Sequence, residues 1–196
     1  GTKMRKIKIL LLSLLLAFCM AGCSEGSSVA ISGSGDETAG KISQNGSGME
    51  VHFIDVGQGD STLIKVGGHA MLIDAGDNSE GTVQSYLDSQ NVEKIDYAIG
   101  THPDADHIGG LDVVVYKFDC KKVFMPDVTS DTKTYDDVVQ ALKSKNQKAQ
   151  APKLGKTYSL GDATFTIIAP VKDYGDDTND WSIGILLQYG KNRFLF

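Results

Sequence analysis

The fold is decided by Ile95-Asp96-Tyr97-Ala98-Ile99-Gly100-Thr101-His102-Pro103-Asp104-Ala105-Asp106-His107-Ile108-Gly109-Gly110. Residues 95–100 are largely apolar and read as a buried strand. Two His and two Asp then fall within residues 102–107. His102 and His107 are spaced i, i+5, not the i, i+4 of a helical zinc motif. A loop at the C-terminal end of a strand, curled so that its side chains converge, fits this spacing. Imidazoles and carboxylates at that density suit a divalent metal ion. A single Asp in such a loop would more simply cap the next helix; the whole cluster points to metal. Gly109-Gly110 let a helix begin close by.

Upstream, residues 50–56 and 61–66 read as strands, with Gly67-Gly68 as a tight hairpin turn before a third strand over 69–75. Gly76-Asp77-Asn78-Ser79 breaks that strand and is expected to cap a short helix carrying Val83, Tyr86 and Leu87 at i, i+3, i+4. Downstream, 101–107 reads as loop and 108–118 as helix, although Val113-Val114-Val115 weakens the helix reading. Residues 122–125 read as a strand ending at Pro126. Thr134-Tyr135-Asp136-Asp137 reads as a capping box with Thr134 as N-cap. Residues 157–160, 164–169, 182–189 and 193–196 read as strands, with a turn over 190–192. Strands joined by hairpins, then strands alternating with helices, then strands again give an α+β fold with helices packed on sheet.

Three segments, in order, resemble a known family: Phe53-Ile54-Asp55-Val56-Gly57-Gln58-Gly59-Asp60-Ser61, Leu72-Ile73-Asp74-Ala75-Gly76, and Thr101 through Gly110. The third holds an HxDxDH form of the HxHxDH motif of the metallo-β-lactamase fold. Together they resemble the hydrolase domain of ComEC-type competence proteins, from about residue 51 onward. The resemblance implies a four-layer αββα sandwich. It implies that His102 and Asp104 serve a first metal position, with Asp104 standing where relatives carry His. Asp106 and His107 would serve a second, and Asp106 would also orient a metal-activated water. Asp74 would hydrogen-bond a ligand His, with ordinary strand-end capping as the alternative. Asp60 would face the site from the Gly57–Asp60 turn. Asn179 and Ser182 match an Asn-x-x-Ser segment that lines it. A carboxylate in place of an imidazole hardens the first position and shifts preference from Zn²⁺ toward Mn²⁺; either metal, as two ions in the full-length protein, fits the motif. In the family the last strand runs into Thr-Gly-Asp, with a further His beyond. Neither follows Phe196, so the sandwich is expected to be incomplete at its C-terminus. The chain alone is expected to bind metal weakly and to catalyse poorly.

The rest of the chain sets boundaries. Arg5, Lys6 and Lys8 precede an apolar run over 9–19, which is too short to span a bilayer comfortably and has the shape of a signal peptide. Met20-Ala21-Gly22-Cys23 resembles a bacterial lipobox. Residues 1–22 are therefore expected to be removed and Cys23 lipidated. Residues 23–48, rich in Ser and Gly, are expected to be a tether, and 49–196 the hydrolase domain. The chain would then sit on the outer face of the cell membrane, held by its lipid. Of three Cys, only Cys120 would remain as a free thiol, read as a small buried hydrophobe.

The net charge is −6. Residues 1–22 hold four of the 19 basic residues and none of the 25 acidic ones, so the remainder carries −10. That excludes a protein that coats nucleic acid through clustered basic residues. The sequence thus reads as a metal-dependent hydrolase of phosphodiester bonds, with DNA as one candidate substrate and no protein partner evident. Two alternatives remain open: a surface lipoprotein that binds through a degenerate site, and a hydrolase of small esters or lactams.

Overall fold

The structure is a computed structural model describing residues 48–77 and 81–196. The signal segment, Cys23 and the tether up to residue 47 lie outside the described residues. β1 (Met49–Phe53) pairs antiparallel with β2 (Thr62–Val66), Met49 opposite Val66 and Phe53 opposite Thr62. Gly67 and Gly68, at φ 52° and 85°, turn the chain back into β3 (His69–Ile73). Two consecutive left-handed residues match the twist of the strands they join, and glycine adopts them without strain. α1 (Thr82–Ser89) then leads to β4 (Lys94–Ile95) and β5 (Tyr97–Ile99). Next come α2 (Ala105–Ile108), α3 (Leu111–Lys117), β6 (Asp119–Cys120), β7 (Val123–Phe124) and α4 (Lys133–Ser144).

The first sheet runs β1-β2-β3-β5-β7, with β3, β5 and β7 mutually parallel. β4 and β6 form a small parallel pair beside it. The second sheet is antiparallel: β8 (Thr157–Leu160), β9 (Ala163–Ala169), β10 (Gly184–Tyr189) and β11 (Asn192–Leu195), in the order β11-β10-β9-β8. A single turn of 3-10 helix, Asn179–Trp181, stands between β9 and β10.

Side chains alternate across a strand, so each strand of the first sheet feeds two cores. Leu63, Leu72, Ala98 and Val123 face the helices, meeting Val83 and Leu87 of α1, Ile108 of α2, Val114 of α3 and Val138 of α4. Ile64, Met71, Ile99 and Phe124 face the other way, against Phe165, Ile167, Ile185 and Leu187 of the second sheet. The layers are therefore helix, sheet, sheet. Among the described residues every α-helix lies on the first sheet. These are three layers of the αββα sandwich expected from the sequence.

Three local expectations are corrected. The single helix over 108–118 is two helices, and the first begins at Ala105, inside the stretch read as loop. The break falls at Gly109-Gly110. A Cβ on Gly109 would stand 2.5 Å from the Ala105 carbonyl oxygen and 2.6 Å from that of Asp77, so backbones meet there that no side chain would let approach. The N-cap of α1 is Gly81, in left-handed geometry (φ 65°), beyond the Gly76–Ser79 stretch expected to cap it, of which Asn78 and Ser79 lie outside the described residues. α4 starts one turn-fraction early: its N-cap is Thr132, whose Oγ1 accepts from the Tyr135 N–H at 3.2 Å, and Thr134 lies inside the helix. Cys120 meets its expectation: it is buried, and burial pushes its thiol up to about 12.

Candidate metal centre

β3 and β5 run parallel, so their C-terminal ends open at one edge of the sheet. The turn after β3 supplies Asp74 and the turn after β5 supplies Thr101 and His102. Asp74 keeps the ladder going, its N–H donating to the Ile99 carbonyl at 2.8 Å. It adopts φ 59°, a left-handed value that Asp tolerates better than most residues. That twist turns its carboxylate inward, where it is 3% exposed. Oδ1 accepts from the Thr101 N–H at 2.7 Å. Oδ2 accepts from the Thr101 hydroxyl at 2.7 Å and pairs with His107 Nδ1 at 2.8 Å. The hydroxyl of Ser61 donates to the Asp74 carbonyl at 2.9 Å.

The hydrogen bonds set the protons on both imidazoles. His102 Nδ1 lies 3.1 Å from Thr101 Oγ1 and 3.2 Å from Ser182 Oγ. Both hydroxyl protons are committed elsewhere: that of Thr101 to Asp74, that of Ser182 to the Asn179 carbonyl at 2.6 Å. Their oxygens can only accept, so Nδ1 of His102 carries the proton and Nε2 presents a lone pair. That Nε2 is buried and has no hydrogen-bond partner. His107 is arranged alike, Nδ1 held by Asp74 and Nε2 turned to Asp106. The two rings stand 4.0 Å apart. They differ in charge preference. Burial, followed by the neighbouring His107, pushes His102 below the usual histidine range. The Asp74 hydrogen bond raises His107 against its own burial, with Asp106 and Asp60 adding to the rise.

The carboxylates complete the set. Asp104 Oδ2 lies 3.7 Å from His102 Nε2, and Asp106 Oδ2 lies 4.0 Å from His107 Nε2. The donors thus stand as two His–carboxylate pairs. Among the described residues no three His, Cys, Asp or Glu side chains close into a single cage. Asp60 lines the same cavity of about 480 Å³, with Asp74, Thr101, His102, His107 and Ser182 around it and Phe53 exposed at its rim. The Gly57–Asp60 turn reaches this edge because Gly59 (φ 90°) presses against α2: a Cβ there would fall 1.7 Å from the Asp106 carbonyl oxygen. Asn179 donates to Asp104 Oδ2 at 3.2 Å.

The structure therefore gathers His102, Asp104, Asp106, His107, Asp60, Asp74, Asn179 and Ser182 at one edge. Asp106 and His107 sit on the first turn of a helix rather than in a loop. Cys23 lies outside the described residues. Thr101, Ser61 and Thr178 were not singled out from the sequence. Thr101 carried a signal, since it stands directly before the cluster at a strand end. Ser61 and Thr178 carried none, because their partners are distant in sequence.

The geometry agrees with comparison to known proteins. The family model described as the metallo-beta-lactamase superfamily matches residues 54–191. The chain belongs to the metallo-beta-lactamase superfamily. Its sequence is 23% identical over 160 residues to ComE operon protein 3 of Bacillus subtilis (strain 168), covering 72% of this chain and 21% of that protein. A metallo-beta-lactamase of Cronobacter sakazakii with a HARLDQ motif superposes with a TM-score of 0.55 at 13% identity, covering 74% of this chain and 55% of that one. A metallo-beta-lactamase of Staphylococcus aureus gives 0.51 at 21% identity, covering 76% and 43%. This chain thus spans about a fifth of the curated relative and about half of the solved structures. Likeness at these identities establishes the fold.

Proposed function

We propose that this superfamily member is a metal-dependent hydrolase of phosphodiester bonds, with His102, Asp104, Asp106 and His107 holding one or two divalent ions, Mn²⁺ or Zn²⁺. The observation that carries the reading is the buried, unpartnered Nε2 of His102, its lone pair fixed by a proton locked on Nδ1. A buried polar atom without a partner costs about 1–3 kcal/mol, and a bound cation would offset that cost. Each His is held from behind at Nδ1, as metal-ligating histidines are. A divalent cation bound there supplies charge to polarise the scissile group and lower the pKa of the attacking water.

The chain's own residues do the rest. Asp106, partly exposed with its Oδ2 4.0 Å from His107 Nε2, would orient that water and take its proton. Asp74 keeps His107 in one tautomer. Phe53, exposed at the rim, gives that side of the cleft an apolar surface. Carboxylate in the first position favours oxygen-loving ions, which suit phosphoryl oxygens. A second reading, a neutral ester or lactam as substrate, is favoured by one feature: among the described residues no Lys or Arg lines the cavity. The same proposal has the chain anchored outside the cell through Cys23, on the strength of residues 5–23 alone.

The test is hydrolysis of bis(p-nitrophenyl) phosphate and of single-stranded DNA by the full-length protein with Mn²⁺ or Zn²⁺, beside Asp106→Ala. Activity lost on chelation and in the variant is the expected result. Equal activity in Asp106→Ala would sink the metal-hydrolase assignment. Cleavage of a neutral ester or lactam alone would select the second reading.

A further inference from the structure

Asp104 occupies the N-cap position of α2 with extended backbone (φ −74°, ψ 146°), yet its side chain caps nothing. An Asp at that position ordinarily accepts from the N–H groups of the first turn. Here both oxygens are taken by residues from beyond β9. Thr178 donates its hydroxyl to Oδ1 at 2.8 Å, and Asn179 donates its amide to Oδ2 at 3.2 Å. Three residues later Ser182 accepts from His102 Nδ1. One short segment therefore grips two successive donors of the cluster. The segment is braced on its own account: the Trp181 indole donates to the Gly175 carbonyl at 2.9 Å, and the Gly175 N–H donates to Asp173 at 2.7 Å.

The type of partner matters. Lys or Arg would hold the carboxylate by cancelling its charge. A hydroxyl and an amide fix its plane and leave the charge in place, and each oxygen keeps a second lone pair. That is the way an outer group orients a ligand for a cation.

We propose that Thr178 and Asn179 form a two-point clamp that positions Asp104 as a metal ligand, making the segment before β10 part of the metal site. The clamp rests on the metal-site reading above, and its test separates the two. The full-length protein, stripped of metal, is titrated with Mn²⁺ by calorimetry. Thr178→Val removes the hydroxyl and keeps the shape. It should weaken Mn²⁺ binding about tenfold, while Thr178→Ser stays within about twofold of wild type. The melting temperature of the metal-free protein should not move, because the lost bond lies at a partly exposed site. Asn179→Ala, whose side chain fills no core, should weaken binding in the same direction and keeps the test valid if Thr178→Val lowers stability. Wild-type affinity in both Thr178→Val and Asn179→Ala, with binding lost in Asp104→Ala, would overturn the clamp and leave the metal site standing. Wild-type affinity in Asp104→Ala would overturn the clamp and remove Asp104 from the ligand set, whereas no uptake of either Mn²⁺ or Zn²⁺ by the wild type would overturn the clamp and the metal-dependent reading together.

Discussion

Asp74 holds a left-handed backbone at the end of β3 and spends both carboxylate oxygens on Thr101 and His107. Its negative charge therefore bears on His107, whose pKa it raises. Asp74→Asn keeps the size and the tolerance for φ near 60° and removes the charge. In the metal-free protein at pH 6 it should cost about 1.5–3 kcal/mol, the range for hydrogen bonds to a charged group. A group whose folded pKa is raised lends stability that is complete below its ordinary pKa and lost as pH rises through the folded value. The penalty should accordingly shrink between pH 6 and pH 9. Urea unfolding at both pH values checks this; a penalty that does not change with pH would disconnect Asp74 from the charge on His107. The strand-end alternative for Asp74 is part of the same picture, since its Oδ1 satisfies the Thr101 N–H just past β5.

At the scale of elements, the hairpin turns and the strands of the second sheet were legible from local chemistry. Gly67-Gly68 and the alternation in β9 depend on neighbours in sequence. Helix ends were less legible. Two threonines, Thr132 and Thr134, both precede the apolar stripe of α4, and the pattern Thr134-x-x-Asp137 favoured the second. The structure uses Thr132: its backbone is extended (φ −82°, ψ 150°) and its Oγ1 accepts from the Tyr135 N–H, while Thr134 lies within the first turn. Thr132→Ala should cost about 1 kcal/mol, as loss of an N-cap does, and Thr134→Ala far less. Urea midpoints of the two variants decide it, and a larger loss in Thr134→Ala would restore the capping box. The three valines of α3 make the same point: Val114 and Val115 are buried against the sheet, and packing overrides their weak helix preference.

Taken whole, the molecule depends on two cores sharing one sheet. Phe165 is fully buried between the sheets, its ring centroid 4.8 Å from that of Tyr97. Phe165→Ala should cost about 3–5 kcal/mol, a large share of the 5–15 kcal/mol by which a domain is ordinarily stable. Urea unfolding measures it. A cost near zero would mean that the second sheet does not fold with the first. This coupling also builds the candidate site, because Thr178, Asn179 and Ser182 reach Asp104 and His102 only when the second sheet packs on the first. Local sequence carried most of the strands, the α+β class, the family resemblance and the cluster at residues 102–107, since each rests on neighbouring residues, on periodicity or on motif spacing; the division of 95–100 between β4 and β5, and the short β6, were not legible there. Tertiary structure alone decided that Asp106 and His107 begin a helix, because Gly59 and Gly109 must meet distant backbone there. It decided the proton on His102, through hydroxyls whose own hydrogens are spent elsewhere. It also brought Thr178 to Asp104 across 74 residues, a contact that leaves no local trace because it exists only once two sheets have closed on each other.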